Sequence, residues 1–148
     1  GAGLTKVDLA GLASEECSRH DVQLLIQDAL SLQTLGVDLL LRRMLRDVRD
    51  NALRHGGDAT QIEMRMQLSQ PNRVLIEVSD RGPGIPPEYL EKIFEPFFRL
   101  PGHREWQGGT GLGLTLVRSI ARHHGGDVQC RLRSGGGATF VVDLPLKT

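Results

Sequence analysis

Hydrophobic residues recur at every second position along several stretches of this chain. Residues 61–68 (QIEMRMQL) place Ile62, Met64, Met66 and Leu68 on one face, and residues 73–79 (RVLIEVS) do the same with Val74, Ile76 and Val78. That period is the signature of half-buried strands, and Pro71-Asn72 between them predicts a turn, so the pair reads as a hairpin. Residues 128–133 and 139–144 alternate around SGGGA and predict a second hairpin, while the short apolar run at 22–27 (VQLLIQ) predicts a strand. Elsewhere the period is helical. From Asp38, taken as an N-cap, to a stop at Gly56-Gly57, the residues Leu41, Leu45, Val48 and Ala52 form one stripe, with Arg42, Arg46, Arg49 and Asp50 opposite, toward solvent. Residues 112–123 predict a helix capped by Gly125-Gly126, residues 5–18 another, and residues 87–94 a short one behind two prolines. Residues 100–109 read as a long loop. Strands arriving as hairpins, with helices that need one shared surface, predict an α/β fold: a two-layer α/β sandwich with a mixed sheet and helices on one face.

Composition narrows the function classes. The 148 residues fit one domain, 1–148, in which Gly1-Ala2-Gly3 reads as an expression scar. The formal net charge is zero, which favours neither nucleic acid nor an anionic membrane surface, and no apolar run approaches the roughly 20 residues of a membrane span. Cys17 and Cys130 stand apart, excluding a CxxC metal or redox site. The 18 glycines cluster at 82–84, 108–113, 125–126 and 135–137, so their positions matter more than their number.

Three stretches carry candidate chemistry. On the helix through residues 45–55, Asp47, Asn51, Arg54 and His55 lie along the border between core and water. Asp47 and Asp50 can be explained as surface carboxylates paired with arginines three or four residues away. Asn51 is harder to explain that way: its amide is poor in a helix interior, and its oxygen suits a hard cation such as Mg²⁺. In VLIEVSDRGPGIP, strand alternation aims Asp80 at the core side, and Gly82 and Gly84 permit close approach of a ligand to the backbone. An adenine amino group could donate to Asp80, whereas guanine would present an oxygen there; a simple turn is the competing reading. In GGTGLGLTLVRSIARHHGG, a glycine-rich loop enters a helix N-terminus, an arrangement suited to phosphates, with a flexible connection as the alternative. No Lys follows as in a Walker loop, and the segment does not directly follow a strand, which argues against a dinucleotide fold.

Taken together, these stretches resemble the ATP-binding catalytic domain of sensor histidine kinases, the Bergerat fold. DNALRHGG resembles that family's asparagine box, DRGPGIP its first glycine box, IFEPFFR its phenylalanine box, GGTGLGL its second glycine box, and GGGATFVVDLP its closing strand motif, in the family's order over residues 38–145. The resemblance implies ATP and Mg²⁺ as cofactors, with Asn51 as the magnesium ligand. Arg54 would reach the phosphates, and His55 the ribose or phosphate side. Asp80 would bind the adenine amino group, and Gly82, Gly84 and Ile85 would shape the base pocket. Residues 94–110 would form a lid, with Arg99 approaching the terminal phosphates. Thr110, Gly111, Leu112 and Gly113 would meet phosphates, Thr139 would lie at the pocket floor, and Phe94 and Phe97 would dock the lid or a partner domain or simply fill the core.

The chain departs from the family at Asp47, where histidine kinases often carry Asn. Related ATPases and anti-sigma serine kinases have Glu there to activate the nucleophile, so the alternative is a stand-alone ATPase or serine kinase with Asp47 as base. A nucleotide-sensing module without catalysis is disfavoured by the intact glycine boxes and Asn51. The family's phosphoacceptor motif is absent from these residues; His20 precedes Asp21 but lacks the rest. The resemblance therefore implies a protein-histidine kinase fragment whose acceptor is a separate dimerisation domain of the same kinase. A response regulator would be the next partner, and nucleic acid and direct membrane contact are not expected. The whole protein would be a homodimer, and this domain the cytoplasmic part of an inner-membrane sensor. No receiver domain is expected after DLPLKT.

Overall fold

The computed structural model describes residues 3–20, 22–27, 32–55, 62–98, 100 and 113–146. Five strands form the main sheet: β2 (Gln23–Ile26), β4 (Glu63–Gln70), β5 (Arg73–Ser79), β6 (Asp127–Leu132) and β7 (Ala138–Pro145), in the order β2-β4-β5-β7-β6. β2 runs parallel to β4 and every other pairing is antiparallel, so the sheet is mixed. Both predicted hairpins are present, and alternation decides their faces: Ile62, Met64, Met66, Val74, Ile76 and Val78 are fully buried. The opposite face carries polar pairs, with Gln67 Nε2 donating to Glu77 at 2.9 Å and Arg73 to Asp143 at 2.9 Å, around the apolar Leu75 and Val141. Against the buried face lie helices α2 (Asp38–His55) and α3 (Gly113–His123), packed on each other, with α1 (Leu9–Ser18) on α2. The two-layer α/β sandwich expected from the sequence is the observed architecture.

Three expected element boundaries need correction. The helix expected at 5–18 begins only at Leu9, because Thr5–Asp8 forms a strand, β1, paired antiparallel with β3 (Gln33–Gly36), which the hydrophobic pattern did not predict. Asp8 then closes the helix start by accepting from Gly11 N at 3.1 Å. Asp38 is the first helical residue of α2 and not its cap: Val37 O accepts the first bond from Leu41 N, while Asp38 faces Arg42 at 3.6 Å. The helix expected at 87–94 is instead two 3-10 turns, Pro87–Tyr89 and Lys92–Phe94. Gly56-Gly57, the expected stop of α2, lie outside the described residues.

Arg49 overturns the expected solvent face of α2. It is 3% exposed, with Nη1 donating to Glu16 O at 2.7 Å and to Glu16 Oε1 at 3.1 Å. Glu16, on α1, is itself fully buried, and Arg19, Arg42 and Arg46 also lie within 3.9 Å of its carboxylate. Burial pushes this carboxyl upward, but Arg46, Arg49 and Arg19 together hold it below the usual range.

At the other end of α2, His124 ties α3 to the β3–α2 junction. Val37 N donates to His124 Nε2 at 3.1 Å, which leaves Nδ1 to carry the proton and donate to Ile120 O at 2.8 Å. Gly36 makes room for the ring, since a Cβ there would stand 3.0 Å from it. His124→Ala is expected to destabilise the domain by about 1–3 kcal/mol, since it orphans the Val37 amide and opens a void. Urea unfolding at pH 7.5 would show it, and an unchanged midpoint would contradict the assignment.

Candidate functional site

The first group of candidate residues lies on α2. Leu41, Leu45, Val48 and Ala52 face the sheet, fully buried, as the helical period predicts. One step round the helix stands Asn51, 9% exposed, whose side-chain amide has no protein hydrogen-bond partner among the described residues. No described residue therefore competes with an external partner for its oxygen. Mg²⁺ keeps several waters and takes its other oxygens from substrate phosphates, so a single amide oxygen from the protein fits its chemistry. No cluster of three or more His, Cys, Asp or Glu among the described residues offers an all-protein metal cage. One turn further along, Arg54 is exposed with no ion pair among the described residues, and His55 is half-buried.

Asp47 lies one turn before Asn51. Arg43 Nε donates to both of its oxygens, at 3.1 and 3.0 Å, so the i, i+4 pairing that the sequence allowed is present. Burial nevertheless dominates and raises the Asp47 carboxyl above its ordinary value, against the pull of Arg43. A carboxyl raised in the folded state contributes stability that is complete below its unfolded pKa and is lost as pH rises through the folded value. Asp47→Asn is therefore expected to leave the domain at least as stable as the wild type at pH 7. The difference between their melting temperatures should close in acid; a variant clearly less stable at pH 7 would contradict this.

The second group is in the loop after β5. Asp80 is 5% exposed, and its main chain extends the ladder by one bond, N to Ala138 O at 3.0 Å. Its Oδ1 accepts from Gly82 N at 3.0 Å and Ala138 N at 3.2 Å, while Oδ2 has no protein donor among the described residues. The carboxylate is thus fixed by one oxygen and presents the other. Its negative charge extends inward: burial and the Asp80 carboxylate push the Cys130 thiol up to about 12, so that thiol is inert. Gly82 supplies a holding amide, Gly84 adopts φ 78° against Gly137 O, and Ile85 is buried in the adjoining core. Gly137 is the tightest point. A Cβ there would lie 2.1 Å from Asp80 O, and its φ of 100° disfavours any side chain.

Thr139 does not join this group. It pairs with Ser79 on the sheet face opposite Val78 and Phe140, and its hydroxyl is 2.9 Å from that of Ser79. The residue of this strand that meets Asp80 is Ala138, through its main chain. Sequence reading missed Ala138 because it matched a motif letter, whereas strand register determines the face.

The third part is the start of α3. Gly113 opens the helix and is exposed, and a Cβ built there would meet no other described residue within 4 Å beyond its own helix backbone and chain neighbours. Arg99, Thr110, Gly111 and Leu112, and most of the expected lid, lie outside the described residues. Phe94, before the lid, is a core anchor. Its ring meets Phe140 edge-on at 6.2 Å, Arg118 lies 4.1 Å over it, and its carbonyl accepts from Thr115 Oγ1 at 2.8 Å. Phe97 is the opposite case, 68% exposed at φ 63°, while Phe98, between them in burial, packs on Tyr89 at 5.5 Å, so the three phenylalanines of IFEPFFR divide into one inside, one half-buried and one outside.

Residues 36–148 match the family model described as "Histidine kinase-, DNA gyrase B-, and HSP90-like ATPase". The alginate biosynthesis sensor protein KinB of Pseudomonas aeruginosa is 38% identical over 144 residues, covering 97% of this chain and 23% of its own length. Among solved structures, the mycobacterial sensor histidine kinase MprB superposes with a TM-score of 0.80 at 25% identity, over 97% of this chain and 98% of that one. The ATP-binding domain of PrrB from Mycobacterium tuberculosis gives 0.74 at 26% identity, over 99% of each chain. No helix among the described residues is long and apolar enough to cross a membrane.

Proposed function

Because this chain belongs to the family of histidine kinase-, DNA gyrase B- and HSP90-like ATPases, we propose that it binds Mg·ATP and transfers the γ-phosphoryl group to a histidine on a separate helical domain of the same kinase. A response-regulator aspartate would take the group next. In the whole protein this domain would be the cytoplasmic part of a homodimeric inner-membrane sensor. The observation that carries the reading is the Asp80 carboxylate, buried and fixed through Oδ1, with Oδ2 left without a donor among the described residues, which suits an amino group.

Each group has a separate task. Asp80 orients the adenine, with Gly82, Gly84 and Ile85 forming the surface beside it. Asn51 holds Mg²⁺ through its amide oxygen, and the ion when bound neutralises phosphate charge. Arg54 and His55 face the phosphates and ribose. Gly113 at the start of α3 would offer its main-chain N–H to the phosphates, and the resemblance would add Thr110, Gly111, Leu112 and Arg99 to the phosphate contacts. No residue here needs to form a covalent bond, because phosphoryl transfer is governed by positioning and charge.

Asp47 is the residue through which a different mechanism would enter. Its raised proton affinity suits a general base, which is the feature that favours the self-sufficient ATPase or serine kinase reading. Its two oxygens on Arg43, and the sensor kinases among the relatives, favour the first reading. The test supplies the chain with labelled ATP, alone and with a phosphoacceptor domain from a matching kinase. Label should pass to the acceptor and little ATP should be hydrolysed without it. Rapid acceptor-free hydrolysis that disappears in Asp47→Asn would overturn the histidine reading. Trp106, the only tryptophan, reports binding independently through its fluorescence on adding Mg·ATP.

A further inference from the structure

We propose that Arg133, a residue that touches neither base nor phosphate in the reading above, is a positioning residue for nucleobase selection. The inference rests on the assignment of Asp80 to the base. The Asp80 carboxylate is held by the amides of Gly82 and Ala138. Ala138 belongs to β7 and is fixed by the sheet, but Gly82 lies in the loop, and its placement depends on the peptide that joins Asp80 to Arg81. With Asp80 N fixed on Ala138 O and the Arg81 side chain on Ser134 O, rotation about ψ of Asp80 is one freedom left to this peptide. That rotation swings the Asp80 carbonyl and carries Gly82 N away from Oδ1.

Arg133 blocks it. Its Nη1 donates to Asp80 O at 3.0 Å from the end of β6, while Arg81 Nη1 returns a bond to Ser134 O at 2.9 Å. Arg133 is itself anchored, its N donating to Gly137 O at 3.1 Å and its O accepting from Gly136 N at 3.1 Å. The glycine turn 134–137 is therefore the support of the selecting carboxylate. Without the guanidinium, Oδ1 loses its loop donor intermittently, the carboxylate rotates, and Oδ2 no longer has one direction.

The test compares ATP with inosine triphosphate, which has the same ribose and phosphates but a carbonyl in place of the amino group. Calorimetry would be run in Mg²⁺ on wild type, Arg133→Met, Arg133→Lys and Asp80→Asn, with melting temperatures measured alongside. Wild type should favour ATP by on the order of 100-fold. Arg133→Met should lower that ratio about tenfold, mostly through ATP, with inosine triphosphate affinity changed less than about twofold, and Arg133→Lys should fall between. A wild-type ratio in both Arg133 variants, with Asp80→Asn abolishing the preference, overturns the role of Arg133 and leaves Asp80 in place. An equal loss of both nucleotides in the Arg133 variants marks general loosening and also overturns it. A preference that survives Asp80→Asn removes the base assignment and this inference together.

Discussion

Asp80→Asn is expected to weaken ATP binding by on the order of 100-fold while leaving the fold nearly as stable as the wild type. The hydrogen-bond pattern dictates both halves of that result. Oδ1 accepts from two main-chain amides, Gly82 N and Ala138 N, so an asparagine must place its oxygen there to keep them satisfied. Its NH₂ then occupies the position of Oδ2 and meets the adenine amino group donor to donor. The substitution is nearly isosteric, keeps the loop intact and inverts the polarity of the one atom that faces the base. Calorimetry with ATP, paired with thermal unfolding, reads the two halves separately. ATP affinity within about threefold of wild type would sink the assignment, since a lost charge-assisted bond costs more than that. The variant should also tolerate a carbonyl-bearing base better, relative to ATP, than the wild type does.

Glu16→Ala should produce the largest loss of stability, about 3–5 kcal/mol, by leaving the buried Arg49 charge without its main partner. Arg19, Arg42 and Arg46 have exposed portions and can turn to water, but the Arg49 side chain is 4% exposed and cannot. Asp50 stays beside Arg49 at 2.8 Å, which limits the damage without removing it, because that carboxylate is itself 40% exposed. Glu16→Gln should cost less and should change the acid limb. The folded carboxyl is held below its unfolded value, so its contribution is complete above the unfolded pKa and is lost as pH falls through the folded one. Urea unfolding from pH 7 to pH 3 should therefore show a shallower decline for Glu16→Gln than for wild type. Glu15→Ala, at an exposed partner of Arg42, is the control, with an expected change under about 1 kcal/mol. Equal effects at the two glutamates would refute the buried-pair account.

The legible parts of the chain share a physical basis. β4, β5, β6 and β7 alternate because one sheet face is covered and the other is wet, and that contrast is written residue by residue. The stripe of α2 was legible for the same reason, but Arg49 was not. A helical wheel registers one apolar face, whereas α2 has a second, polar interface with α1 whose counter-charge, Glu16, is distant in sequence. β1 and β3 are four-residue strands in which pairing, not pattern, decides the conformation. The candidate site divides along the same line. Asn51 and Asp80 stand out in the sequence because an amide or carboxylate at the border of an apolar stripe is conspicuous beside apolar neighbours. Ala138 and Arg133 act on main-chain atoms across the sheet, a relation that neither residue type announces. Thr139 was placed one residue out of register, and a one-residue step in a strand reverses the face.

The Asp80 end of the proposed site is held by the sheet, and this bears on inhibition. Around Asp80 the backbone is tied to β7 and its turn by bonds that need no nucleotide to form. A small amino-heterocycle could therefore bind there without ordering anything first, and its contact with Oδ2 would be won with few atoms. Fragment screening aimed at that carboxylate, with Asp80→Asn as the counter-screen, should yield compounds of high efficiency for their size that carry no phosphate mimic.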